Sequence, residues 1–181
     1  MKSNVTNIIE DEIDENVNQN KQHKNKNSFS SIVILVSVLT ILTNLFVFQL
    51  AKVNGDSMLP TLEDGEILLL YKLNPKLERG DIVVFKQNGG ILIKRVIALP
   101  GETIVVNNDS IEINGEKIDD YVNTTIQNGG SLTEPFTVKD NEYICLGDNR
   151  NNSHDSRAFG SVKKDDIIGV VILRFIPFAK Y

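Results

Sequence analysis

From Asn27 to Ala51 the chain carries no charged residue, and Ile32 to Leu50 is predominantly apolar. A helix of that apolar length rises about 28 Å, close to the roughly 30 Å hydrocarbon core of a bilayer. A cleavable leader has a shorter apolar part, about 7–15 residues, so residues 28–51 are expected to be an uncleaved transmembrane anchor. Ser37, Thr40, Thr43 and Asn44 interrupt the run, but hydroxyls can bond back to the helix backbone. Lys21, Lys24 and Lys26 precede the span and only Lys52 follows it closely. Positive charge stays on the cytoplasmic side, so the expectation is one span with a cytoplasmic N-terminus and residues 52–181 outside the cell membrane.

Residues 1–27 hold four Lys against five Asp or Glu, and the block Glu10-Asp11-Glu12-Ile13-Asp14-Glu15 is almost wholly acidic. Such a segment buries too little apolar area to fold alone and is expected to be a disordered tail. The whole chain carries a net charge of −5, which disfavours nucleic acid as a partner. A single cysteine, Cys145, excludes an intrachain disulfide and sits in an apolar run as a buried thiol. With only His23 and His154 beside it, an ordinary transition-metal site is not expected, nor is any other cofactor.

After the span, short apolar runs alternate with breakers. Glu66–Tyr71, Asp81–Phe85 and Ile91–Ala98 read as strands, separated by Asn74-Pro75, Arg79-Gly80 and Asn88-Gly89-Gly90. Thr103–Val106, Ser110–Ile113 and Glu116–Ile118 follow, with Asn114-Gly115 as a hairpin turn. Residues 119–135 read as a loop, and strands resume at Phe136–Val138, Glu142–Leu146 and Ile167–Phe175. No long amphipathic helix and no repeat is evident. The expected fold is mainly β, a barrel or sandwich of antiparallel sheets.

Three stretches carry candidate chemistry. Gly55-Asp56-Ser57-Met58-Leu59-Pro60 presents a serine in a tight turn just beyond the apolar run. Serine needs a base to act as a nucleophile. His154 is the only histidine beyond the span, and Asp155 adjoins it too closely to orient it as in a triad; the Gly-x-Ser-x-Gly elbow is also absent. Lys94 interrupts an apolar strand and shares a face with Leu92 and Val96. An ordinary lysine is neutral in about one molecule in 2,500 at pH 7, but burial can lower its pKa by roughly 3–5 units. Lys94 is therefore either a base for Ser57 or an edge-strand lysine that discourages aggregation. Leu146–Gly160 is dense in carboxylates, amides and arginines, and is either a solvated loop or a buried hydrogen-bond network. Ser161-Val162-Lys163-Lys164 matches Ser-x-x-Lys, but without companion motifs it is a chance match.

Gly55–Leu62, Arg79–Phe85, Lys94–Glu102 and Gly147–Arg157 together resemble, in order and spacing, the blocks of bacterial type I signal peptidases of the short, single-span form. The resemblance runs over residues 30–177 and implies a signal-peptidase-like β domain with a catalytic groove. It implies a membrane-bound, monomeric serine endopeptidase that removes signal peptides from secretory preproteins outside the bilayer. On the matching positions Ser57 is the acylating nucleophile and Lys94 its general base. Ser153 hydrogen-bonds the lysine, Asp155 and Arg157 support it, and Asp148 joins the same network. Small residues at −1 and −3 of an Ala-x-Ala site would fill shallow pockets, with Val53, Met58, Leu62, Leu92 and Ile93 as walls. Some relatives place a serine donor for the oxyanion two positions before the nucleophile; here that position is Gly55. Such a donor is worth ~2.7–4 kcal/mol of barrier, so the second half of the oxyanion hole is unassigned.

Two other readings compete. A Ser/Lys self-cleaving repressor-type protease would need a DNA-binding module where this chain has a tail and a span. A membrane-tethered β domain that only binds a partner would not need both Ser57 and Lys94.

Overall fold

The computed structural model describes residues 30–43, 46–107, 110–118 and 129–175. They belong to two units, one ending at Phe46 and one beginning at Val47. In the first, residues 30–43 form a helix, α1. The hydroxyls of Ser37, Thr40 and Thr43 donate to the carbonyls of Val33, Val36 and Leu39 at 2.8, 2.8 and 2.6 Å. These bonds satisfy the hydroxyls within the helix itself. Among the described residues no helix is long and apolar enough to cross a membrane. The acidic tail expected over 1–27 lies outside the described residues, as do residues 28, 29, 44 and 45 of the expected anchor.

The far end of that expected anchor differs. Phe48–Lys52 is strand β1, paired antiparallel with β2 (Ile67–Tyr71) from Phe48↔Tyr71 to Lys52↔Ile67. An apolar run does not by itself distinguish a helix end from a strand. Here alternate residues Ala51 and Val53 turn toward Leu68 and Leu70 in the core.

The remaining strands are β3 (Ile82–Gln87), β4 (Gly90–Ala98), β5 (Thr103–Val106), β6 (Ile111–Ile113) and β7 (Glu116–Ile118), then β8 (Phe136–Thr137), β9 (Glu142–Leu146), β10 (Val162–Lys163) and β11 (Ile167–Phe175). They form a seven-stranded sheet, β1-β2-β11-β3-β4-β9-β10, and a four-stranded sheet, β7-β6-β5-β8. Every pairing is antiparallel, so the fold is mainly β as expected. The β3–β4 hairpin turns through Asn88-Gly89 and the β6–β7 hairpin through Asn114-Gly115, all four with positive φ. That is the pair of conformations a two-residue hairpin turn demands.

Alternation sorts the side chains into three packed clusters. Ile97, Ile104, Leu132 and Ile144 lie in the cluster associated with the small sheet. Val83, Phe85, Val96 and Cys145 lie on one face of β3, β4 and β9. Val53, Met58, Leu62, Leu68, Leu70 and Val84 form the third, which underlies the turn after β1. Two elements escape the sequence pattern: β10, and a one-turn helix, α2 (Ser156–Phe159). Both are too short to show a period.

Phe85 is fully buried, faces Leu92 across the β3–β4 ladder and meets the Phe159 ring edge-on at 6.3 Å. Truncation to alanine leaves a cavity, and Phe85→Ala should destabilise the domain by about 3–5 kcal/mol. Urea unfolding of the full chain in detergent measures this; an unchanged midpoint would contradict the packing described.

Candidate active site

Residues 55–62 form a compact turn. The Gly55 N–H donates to Asp64 Oδ1 at 2.7 Å, and Leu62 N–H donates to the Met58 carbonyl at 2.9 Å. Met58 and Leu62 are thereby turned into the core, 1% and 2% exposed, while Ser57 remains half-buried at the surface. Lys94 enters from β4, itself only 2% exposed. Its Nζ lies 2.7 Å from Ser57 Oγ and donates to the Ile93 carbonyl at 2.9 Å. Of the two readings of Lys94, the edge-strand one is excluded, because a lysine that guards an edge keeps its amine in water and this one is buried against Ser57.

Burial is the largest influence on the Lys94 amine and lowers its pKa, outweighing the opposing charges of Asp155 and Asp148. Burial likewise pushes the Cys145 thiol far up, so that it stays protonated beside the amine. This is the structural thiol expected from the sequence.

The loop Gly147–Arg157 is a buried network in its principal members. Burial pushes the Asp155 carboxyl up, but Arg157, the Gly147 N–H and the Ser153 hydroxyl together bring it below the ordinary value. Arg157 Nε and Nη2 each donate to Asp155 at 2.8 Å, a two-point pairing. Gly147 N–H donates to the same carboxylate at 3.0 Å. Asp155 also caps α2 by accepting from the Arg157 N–H. Asp148 is fully buried but belongs to a different pairing: Arg95 Nε and Nη2 donate to it at 2.9 and 2.6 Å.

Two expectations require correction. Ser153 Oγ does not hydrogen-bond Lys94; the buried hydroxyl acts on Asp155 instead. Its contribution reaches the site through Asp155, whose carboxyl it helps hold down. Leu62 does not line the groove, because its bond to Met58 folds it beneath the turn. Val53, Met58, Leu92 and Ile93 do line a cleft of about 260 Å³ that also admits Ser57 and Lys94.

Three further residues bear on the site. Asn149 N–H donates to the Ser57 carbonyl and its Nδ2 to the Asp56 carbonyl, both at 3.0 Å. Arg95 Nη2 reaches Thr61 Oγ1 at 3.3 Å. Gly147 has room for no side chain: a Cβ would lie 2.1 Å from Ser153 Oγ and 2.6 Å from the Ser57 carbonyl oxygen. One asparagine or glycine in a polar loop offers no sequence signal of such contacts. Gly147→Ala must push the loop off the turn, and displacement of about 1 Å costs roughly 10²-fold in rate. Peptide-bond cleavage by the Gly147→Ala chain should fall accordingly; an unchanged rate would contradict the close packing of loop and turn.

The arrangement is that of an activated serine suited to acyl transfer. The family described as signal peptidase, peptidase S26, matches residues 26–176. Signal peptidase IB of Staphylococcus aureus is 36% identical over 169 residues, 82% of this chain and 88% of that protein. Signal peptidase I of Bacillus caldolyticus is 40% identical over 163 residues, 81% of this chain and 90% of that protein. A crystal structure of a signal peptidase I from Enterococcus faecalis, 34% identical, covers 53% of this chain and 97% of its own, with a TM-score of 0.45. On the extent of the family match and of the two curated relatives, the chain belongs to the signal peptidases of family S26, which are serine endopeptidases.

Proposed function

We propose that this chain is a membrane-anchored, monomeric endopeptidase that cleaves signal peptides from secretory preproteins through a Ser57–Lys94 dyad. The observation that carries the reading is the 2.7 Å approach of a buried, pKa-lowered amine to a hydroxyl at the edge of a cleft. With Nζ neutral, the Ser57 hydroxyl donates to its lone pair. As Oγ attacks the scissile carbonyl, Lys94 takes the proton, then returns it to the leaving amine, so that an acyl-enzyme forms. Neutral again, Lys94 deprotonates a water that releases the acyl group. The Ser57 N–H, which has no acceptor among the described residues, is one donor for the oxyanion. Gly55 contributes no hydroxyl, and its own N–H is held by Asp64.

The sheet offers a seat for an extended substrate. β1 is an edge strand, and β4 pairs with β9 only from Arg95 onward, so Gly90–Lys94 keeps one edge uncovered. Both edges border the cleft. Four antiparallel steps separate β1 from β4, so the two run in the same sense, each toward the dyad. A processing segment running toward Ser57 would add as a strand parallel to both. Val53, Met58, Leu92 and Ile93 would wall the pockets for small side chains at −1 and −3, as at Ala-x-Ala sites. The uncharged run before β1 supports anchoring in the cell membrane with the β domain outside, which would concentrate enzyme and substrate in one bilayer.

Purified full-length chain given a preprotein with an Ala-x-Ala site should cleave it, and Ser57→Ala or Lys94→Ala should abolish cleavage. Survival of activity in either variant would sink the dyad, and no cleavage by the unmodified chain would favour a binding domain. Since the neutral amine is the working form and its pKa is lowered, the rate should rise with pH through that lowered pKa and level off above it. A rate that stays flat from mildly acidic to alkaline pH would contradict the assignment.

A further inference from the structure

The opposite end of β1 from Ser57 is where the chain enters the β domain. There Lys72 N–H donates to the Val47 carbonyl at 2.9 Å, and the rings of Phe48 and Tyr71 lie 6.0 Å apart. Beside them opens a second cavity, about 540 Å³, with Lys72, Asn74, Leu77, Asn141, Lys164 and Asp165 in its wall. Lys164 N–H donates to the Asn141 carbonyl at 2.8 Å, joining two of the wall segments. None of these residues belongs to the dyad, the loop network or the cleft.

Two lysines and two asparagines line it, against one carboxylate residue, Asp165. That balance suits an anion with several acceptor oxygens, a phosphate. The rim points to the phosphate's carrier. Leu73, between Lys72 and the cavity residue Asn74, is 52% exposed, and Lys76 follows three residues later. An exposed apolar side chain flanked by lysines, next to an aromatic pair, is the composition of a surface lying at a lipid–water boundary. The uncharged run, Asn27 to Ala51, passes through the point where the chain enters the β domain.

We propose that this cavity binds the phosphate of an anionic phospholipid headgroup, with Lys72 and Lys164 as its cationic partners and Leu73 dipping toward the acyl chains. The inference rests on the membrane-anchored reading above. Lysines near an anionic lipid surface each contribute enough to change affinity roughly fivefold. Asp165 opposes the anion, so its removal should act in the other direction.

The test is lipid titration by native mass spectrometry of the full chain in neutral detergent, with phosphatidylglycerol as probe and inorganic phosphate as competitor. The expected result is one retained phosphatidylglycerol per chain, weakened roughly fivefold by Lys72→Gln or Lys164→Gln and tightened by Asp165→Asn. Equal retention by all four chains would overturn the proposal, since the lipid would then sit only around the apolar segment. Displacement by inorganic phosphate at the same concentration as lipid would also overturn it, showing a free-anion site. Preprotein cleavage in the same micelles should be unchanged in all three variants. Its loss in the unmodified chain would count against the proposed function, and not against the lipid site.

Discussion

Everything at this site depends on keeping one amine out of water. A lysine exposed by 2% pays a large desolvation cost if charged, so the fold shifts it toward its neutral form. The face that buries it, Val83, Phe85, Val96 and Cys145, is apolar apart from a thiol that stays protonated. Two carboxylates stand near enough to oppose this, Asp155 and Asp148. Each is spanned by its own arginine, Arg157 and Arg95, through paired hydrogen bonds. Pairing offsets part of the pull of two anions that would hold a proton on Lys94, and at the same time fixes the loop that carries them.

The nucleophile turn is held by that same loop rather than by its own strand alone. Asn149 takes the carbonyls of Asp56 and Ser57, and Gly147 lets the Ser57 carbonyl approach. Arg95 reaches Thr61 on the other side of the turn while holding Asp148. Ser57 comes from a turn and Lys94 from β4, and these contacts set their separation. Ser153 fits the scheme in a changed role, its hydroxyl acting on Asp155 and not on the amine.

Runs such as Glu142–Leu146 and Ile167–Phe175 were legible as strands because each is a short stretch rich in apolar and β-branched residues. The Asn-Gly turns were legible because few residues tolerate positive φ. Phe48–Lys52 was not, since it continues an apolar run and only its pairing with Ile67–Tyr71 makes it a strand. At the site, Ser57 and Lys94 stood out as a hydroxyl in a turn and a cation in an apolar strand. Leu62 was misread because motif position says nothing about which side of a turn a leucine takes. Gly147, Asn149 and Arg95 act through contacts spanning tens of residues, which no local pattern encodes.

The central claim is that burial lowers the pKa of Lys94 and so favours its neutral form. Nuclear magnetic resonance titration of the lysine ε-methylene signals, with Lys94 assigned by its loss in Lys94→Ala, reads this directly. The account predicts that Lys94 titrates below the ordinary lysine value of about 10.4. A Lys94 signal that titrates at or above that ordinary value would contradict it.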